Sequence, residues 1–261
     1  MEIVTNKVVK PLKIVPADMH IHTCLSPCAT LDMTPEKIVR EALKKALSII
    51  AITDHNSAEN SGAVIAAAQS EKLYVIPGIE MTTSEEIHII ALFENVERAV
   101  SFQELIYDNL QSGKNNEDFF GIQVVANEFD EVEGINTRLL IGATSLRLDE
   151  AVGEIHRREG LAFAAHIDRG SFSIISQLGF IPEDLDLDAV EISKRITLSE
   201  ARKQFKEYDR FPFITSSDAH DLSEIGTTPT LFQLAGSNIA EIRLALSGKE
   251  GRRVIEKGAD L

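Results

Sequence analysis

The sequence predicts an α/β barrel, and three observations lead there. Its 261 residues suit a single barrel domain of about 250 residues. Apolar, strand-like runs alternate with helical patterns along most of the chain, as βα units require. Six of the seven histidines stand at the edges of short apolar runs, nearly all beside a carboxylate. The carboxyl ends of the strands in a parallel barrel converge on one mouth, so residues placed there meet.

The elements follow in order. Residues 12–21 form a first strand that ends on His20-Ile21-His22. Thr34-Pro35-Glu36 reads as an N-cap, a proline at the first helical position and an early acid, opening a helix to about residue 47. Residues 48–53 are a continuous apolar run, as expected of a parallel strand buried on both faces, and deliver Asp54-His55-Asn56. A helix over 58–71 leads into a strand over 73–76 and then Pro77-Gly78-Ile79-Glu80, where Gly78 is expected to make a turn. The polar stretch 82–86 is too short for a crossover helix. A hairpin turning near Ser84 places Glu80 and His88 opposite one another, on one face of the sheet.

From about 95 to 148 the rhythm breaks. A helical stretch (96–110), a polar loop (111–118) and strand-like runs near 122–125 and 138–141 read as an insertion within a single domain over 1–261, a helix with a small hairpin or lid. A helix over 148–159, stopped by Gly160, restores the pattern. Strands over 161–165, 189–192 and 211–215 then deliver His166, Ser193-Lys194-Arg195 and Ser216-Ser217-Asp218-Ala219-His220. Asn238 and Glu241 suit a capping box for a last helix to about 246.

Composition narrows the function classes. A net charge of −15 argues against stable binding of duplex nucleic acid, whose affinity rests on Lys and Arg at phosphates. It leaves anionic substrates open, because three divalent ions facing about three anionic ligands would carry a local charge of about +3. No segment approaches the roughly 18 apolar residues of a membrane span, and residues 1–23 hold no long apolar leader core, so the expectation is a cytoplasmic protein without membrane partners. The two cysteines, Cys24 and Cys28, rule out a disulfide framework.

Imidazole and carboxylate are the common ligands of divalent transition metals. Period-two alternation puts Asp18, His20 and His22 on one strand face, with Asp18 and Asp54 available to orient ligating imidazoles from behind. His156 lies on a helix with no carboxylate motif and is left outside the site. Arg169, three residues past His166, and Lys194, just past a strand end, are candidates to hold substrate phosphate.

These motifs resemble those of the polymerase and histidinol phosphatase (PHP) superfamily of metal-dependent phosphoesterases. Asp18-Met19-His20-Ile21-His22-Thr23, Ile52-Thr53-Asp54-His55-Asn56, Pro77-Gly78-Ile79-Glu80, Ile87-His88-Ile89-Ile90-Ala91-Leu92, Ala164-Ala165-His166-Ile167-Asp168 and Ser216-Ser217-Asp218-Ala219-His220 follow its order and spacing, from residue 18 to about 226. The resemblance implies a distorted (β/α)7 TIM-like barrel with two to three divalent ions (Mn, Fe or Zn) at the carboxyl ends of its strands. Carried over by position, His20, His22, Glu80 and Asp218 would hold the first ion, His55 and His220 the second, and Glu80 would bridge to a third completed by His88 and His166. The family usually places a further His or Asp shortly after its His-x-His. Here Cys28 is the candidate, and a thiolate there favours softer ions such as zinc.

The implied chemistry is hydrolysis of a phosphate ester by metal-bound water held by Glu80, Asp218 and His220. Expected substrates are a phosphorylated small molecule, a nucleotide, or a short oligonucleotide cut from its 5′ end. The motif wording is closer to nucleoside 3′,5′-bisphosphate phosphatases and related nucleases than to histidinol phosphatase. Two competing readings are an amidohydrolase-like C–N hydrolase and a non-catalytic metal-binding module. Glu80 in the bridging place, where amidohydrolases commonly carry a carboxylated lysine, favours phosphate chemistry.

Overall fold

The computed structural model describes residues 11–255; residues 1–10, part of the stretch searched for a leader, lie outside it. In chain order the elements are β1 (Lys13–Ile21), α1 (Pro35–Lys44), β2 (Ile49–Ile52), α2 (Ser61–Ala67), β3 (Tyr74–Thr82), β4 (His88–Leu92), α3 (Val96–Asn109), α4 (Glu117–Phe120), β5 (Val124–Ala126), β6 (Val132–Ile135), α5 (Leu148–Arg157), β7 (Leu161–Ala164), α6 (Ile174–Leu178), β8 (Ala189–Ile192), α7 (Leu198–Gln204), β9 (Phe213–Thr215), β10 (Thr230–Leu234), α8 (Ile239–Leu246) and β11 (Arg253–Ile255). Among the described residues no helix is long and apolar enough to cross a membrane.

Seven strands, in the order β1-β2-β3-β4-β7-β8-β9, form a nearly closed barrel. The segment after β9 returns to β1: His22 N–H donates to the Ala219 carbonyl at 3.0 Å, and Ala219 N–H to that of His20 at 3.3 Å. Strand β4 runs antiparallel to both β3 and β7, and the other barrel pairings are parallel. β10 and β11, which the sequence pattern did not single out, add antiparallel strands outside β1.

Both faces of the barrel wall are apolar. Ile49 and Ala51 of β2 join one buried cluster with Ile76, Ile90, Phe163 and Ile214. Ile50 and Ile52, one residue out of phase, pack with Ile38 and Val39 of α1 and Val64 of α2. A strand buried on both faces has no polar alternation to display, which is why 48–53 reads as a continuous run. The same logic isolates Glu191, which shares the phase of Ala189 in an otherwise apolar β8 and is 1% exposed.

Several local expectations are corrected. The β3–β4 hairpin exists, with Glu86 in the left-handed region (φ 59°), but its register pairs Thr82 with His88 and Glu80 with Ile90. Glu80 and His88 are therefore diagonal neighbours on one face. Gly78 makes no turn; it lies within β3, where a Cβ would meet Leu92 Cδ2 at 2.7 Å and the Ala91 carbonyl oxygen at 2.8 Å. At the end of α5 the left-handed position belongs to Glu159 (φ 58°). Gly160 serves close packing, since a Cβ there would sit 2.8 Å from both Ile155 and Phe93.

In the 95–148 stretch, α3 and the short α4 precede a two-stranded β5–β6 hairpin. The second strand lies at Val132–Ile135 rather than 138–141. The apolar run 139–141 is instead pinned by a side chain: Asn56 Nδ2 donates to the carbonyls of Leu140 and Gly142, both at 2.8 Å. This region is fastened to the barrel mouth, because Val124 N–H donates to the Cys24 carbonyl at 2.9 Å and Asn60 donates to the Val124 carbonyl while accepting from Ala126 N–H, each at 3.0 Å.

Candidate metal centre

At the barrel mouth, His20 and Glu80 lie on strands β1 and β3, and His88 opens β4. His22, His55, His166, Asp218 and His220 follow strand ends. All are buried except His220, which is partly exposed. The turns that deliver them are conformationally unusual: Asn56, His166 and Asp218 hold positive φ values of 52°, 31° and 49°, a region that few non-glycine residues occupy and in which Asn, Asp and His are over-represented.

Glu80 is the hub. Its Oε1 lies 2.9 Å from His88 Nδ1, 3.2 Å from His166 Nε2 and 3.4 Å from His20 Nε2. Its Oε2 lies 3.1 Å from His55 Nδ1 and 3.4 Å from His22 Nε2. Asp218 Oδ1 is 3.2 Å from both His20 Nε2 and His22 Nε2. Arg169 pairs with the other oxygen of Asp218.

The outer nitrogens decide what the inner ones can do. His20 Nδ1 faces both oxygens of Glu191, at 3.2 and 3.3 Å, and so donates. Ser26 Oγ–H donates to Asp54 Oδ1 at 2.6 Å, which leaves that hydroxyl only lone pairs for His55 N–H at 3.1 Å and for His22 Nδ1 at 2.9 Å. His22 Nδ1 therefore also donates. His220 Nδ1 donates to the Asp218 carbonyl at 2.9 Å. In the neutral imidazoles, Nε2 of His20 and His22 then carry lone pairs only 3.1 Å apart, facing carboxylate oxygens. Such a cage of acceptors is stable only around positive charge, a proton or a cation.

Ionisation follows the same geometry. Burial alone would lower His22, yet Asp218 and Glu80 outweigh it and push it up to about 9. His20 moves well above the ordinary histidine range, its burial outweighed by Asp218, Glu191 and Glu80. Burial depresses His55, His88 and His220, the last to about 4. Despite burial, the surrounding histidines hold Glu80 and Asp218 well below the usual carboxylate range.

Among the described residues three donor groupings emerge: His20 with His22 and Asp218; His22 with Cys28, His55 and His220; His55 with Glu80 and His88. Ligand atoms within each lie within 4.8 Å of one another. The buried donors, their lone pairs, and Asp218 Oδ1, His55 Nδ1 and His166 Nδ1, which make no hydrogen bond among the described residues, fit divalent cations.

Not every expected residue sits where alternation put it. Asp18 pairs with Ile50 and Ile21 with Ile52, so three steps on β1 oppose two on β2. This bulge turns Asp18 to the face opposite His20. Its oxygens accept from Ser217 N–H at 2.9 Å and Gly226 N–H at 2.8 Å, fixing the backbone that leads to Asp218 instead of orienting an imidazole. Asp54 acts on His22 at one remove, through Ser26. Lys194 lies one ion pair further out, 2.5 Å from Glu224, whose other oxygen accepts from His220 N–H. His156 is distant from the cluster and pairs with Asp188 at 2.9 Å. Sequence reasoning missed Glu191 and Ser26. A carboxylate inside the apolar run Ala189-Val190-Glu191-Ile192 was the available signal for the first; a loop serine gave none for the second.

The PHP domain family matches residues 18–169, more than half of the chain. The chain belongs to the PHP domain family. This PHP domain shares 37% identity over 84 residues with the 5'-3' exoribonuclease Rnm of Escherichia coli (strain K12), an alignment covering 29% of this chain and only 26% of that protein. Endonuclease Q from Pyrococcus furiosus superposes with a TM-score of 0.74 at 19% identity, over 93% of this chain and 58% of its own. An endonuclease Q complex with a 27-mer duplex bearing an abasic lesion gives 0.70 at 17% identity, with the same coverage. Both structural likenesses speak to the fold.

Proposed function

We propose that this chain hydrolyses the phosphoester bond at the 5′ end of short, single-stranded oligonucleotides. The observation that carries this reading is the Glu80–Asp218 cage, in which two buried carboxylates and the inner nitrogens of the histidines face one another at the mouth of the barrel. Divalent cations held there would supply Lewis acidity and a water of lowered pKa. Under this proposal His20, His22, Glu80 and Asp218 hold one cation, His55, His220 and Cys28 a second, and Glu80, His88 and His166 a third. Arg169, partly exposed and already paired with Asp218, turns its guanidinium to a non-bridging phosphate oxygen. Lys194 reaches the same phosphate from the rim once it leaves Glu224. The resident ions are drawn from Mn, Fe and Zn, and a cytoplasmic setting suits the two free thiols.

The substrate choice has two supports. The stretch similar to a 5'-3' exoribonuclease is one. The other is the charge of −15, which disfavours a duplex but not a short strand whose terminal phosphate is drawn to a local cationic centre.

The test is to load the protein with manganese or zinc and supply a 5′-phosphorylated short oligoribonucleotide, the same strand in a duplex, a nucleoside 3′,5′-bisphosphate and bis-p-nitrophenyl phosphate. Stepwise release of mononucleotides from the 5′ end of the single strand is the expected result. Turnover of the bisphosphate alone would replace the substrate and keep the chemistry, whereas turnover of none of the four would reject both.

A further inference from the structure

An exposed aromatic ring leans on the candidate centre without taking part in it. Phe172 is 42% exposed, and its ring stacks on that of His88 with centroids 4.8 Å apart and planes inclined by 18°. His88 Nδ1 in turn meets Glu80 at 2.9 Å. One face of the phenyl ring is thus spent on His88, and its solvent exposure belongs to the remainder. An apolar ring left open to water beside a polar centre asks for a partner with a flat face.

The loop that presents Phe172 is built rather than slack. Arg169 N–H donates to the His166 carbonyl at 2.9 Å, Ser173 Oγ donates to the Arg169 carbonyl at 2.7 Å, and His88 N–H donates to the Phe172 carbonyl at 2.9 Å. Phe172 itself holds φ 55°, a left-handed conformation that a bulky L-residue rarely adopts. Strain of this kind persists where surrounding bonds over-determine the backbone, and such places cluster at ligand sites. The same five-residue loop carries Arg169, which pairs with Asp218 at the centre. A phosphate-seeking guanidinium, paired with Asp218, and an aromatic ring, stacked on His88, are therefore presented by one loop at the centre.

We propose that Phe172 is a stacking platform for the nucleobase attached to the phosphate being cleaved. Stacking on an aromatic side chain tolerates every base, since each has a π-face, so the subsite selects nucleotides over other phosphate esters without selecting sequence. This inference rests on the nucleic-acid reading proposed above. Phe172 is a binding and specificity residue, and does not touch the reacting atoms.

The test compares two 5′-phosphorylated oligonucleotides, identical except that the 5′-terminal residue of one is abasic. On the wild-type metal-loaded protein the abasic strand should lose about tenfold in kcat/KM, chiefly through KM. Phe172→Ala should turn over both strands alike. Phe172→Leu keeps an apolar cover on His88 but has no π-face, and it too should lose the preference; Phe172→Tyr should retain it. If the ring serves only to position His88, Phe172→Ala will slow both strands equally and preserve the tenfold ratio, which overturns this proposal while leaving the nucleic-acid reading intact. Failure of the wild-type protein to cut either strand, with glycerol phosphate still hydrolysed, overturns both.

Discussion

The histidines of the centre fall into two groups held in different ways. His20 and His22 are clamped from behind by Glu191 and Ser26, and the carboxylates in front of them hold both above the ordinary histidine range. His55, His88 and His220 are depressed by burial and stand as neutral imidazoles at ordinary pH. His55 Nδ1 lies 3.1 Å from Glu80 Oε2 but makes no hydrogen bond among the described residues. One side of the cage carries protons that a cation must displace; the other offers lone pairs at once. Proximity to carboxylates and distance from solvent, set by one barrel, produce opposite ionisation in neighbouring rings.

The strongest challenge to this division is a pair of substitutions. His20→Ala and His55→Ala should each lower hydrolysis of bis-p-nitrophenyl phosphate by about 10²- to 10³-fold, the loss of several kcal/mol of electrostatic stabilisation. Only His20→Ala should also destabilise the chelator-treated protein, by about 3–5 kcal/mol, because it strands buried carboxylates without their countercharge. Equal melting temperatures for the two variants would erase the distinction.

Next in size is the support behind the rings. Glu191→Gln should weaken metal binding by about 10- to 100-fold, as loss of an outer carboxylate does for ligating histidines. Ser26→Ala should have the smaller effect, because a neutral acceptor orients His22 less strongly than a carboxylate orients His20. Titration with manganese, followed by its paramagnetic effect on water relaxation, would rank the two.

Protonation gives the third test. In the chelated protein His22 carries a proton up to about pH 9, so metal binding must expel it. Apparent affinity should therefore rise by about tenfold per pH unit per proton between pH 6.5 and 9, then level off. The chelated protein should show the opposite trend. A histidine raised above its unfolded value stabilises fully below about 6.5 and loses that contribution as pH climbs through 9. Calorimetry in buffers of different ionisation enthalpy would detect the released proton, and its absence at pH 7 counts against the charged pair.

The smallest effect is expected at Cys28, exposed and grouped with the His22, His55 and His220 donors. Cys28→Ser should cost about tenfold in zinc affinity and leave manganese affinity little changed, since a thiolate favours the softer ion. Cobalt substitution would report the sulfur ligand directly through its charge-transfer absorption, and a spectrum without that band would remove Cys28 from the group.

Much of the barrel was legible because its strands are buried on both faces and its polar residues cluster at their ends. Ile49–Ile52 could hardly be anything but an inner strand, and the residues just beyond it had to face the mouth. What escaped was set by geometry at a distance. The bulge at Asp18–Ile21 reverses a side-chain direction that strict alternation assigns to one face. The β3–β4 register depends on a turn whose left-handed residue is Glu86 rather than the glycine that announces such turns. The 139–141 run looked like a strand because its apolar content matches one, yet Asn56, more than eighty positions earlier, fixes its carbonyls. Glu191 was passed over because a lone acid in a strand is read locally, whereas its partner His20 is 171 positions away.

The barrel closes where Ile21 meets Ala219, and the residues flanking that seam, His20, His22, Asp218 and His220, are the ones that offer donor atoms. A cation seated there would act as a rivet between the first strand and the last turn of the wall. Starving the cell of transition metals would then do more than silence an activity: it would loosen the stave that keeps the cylinder shut, and hand the open form to proteases.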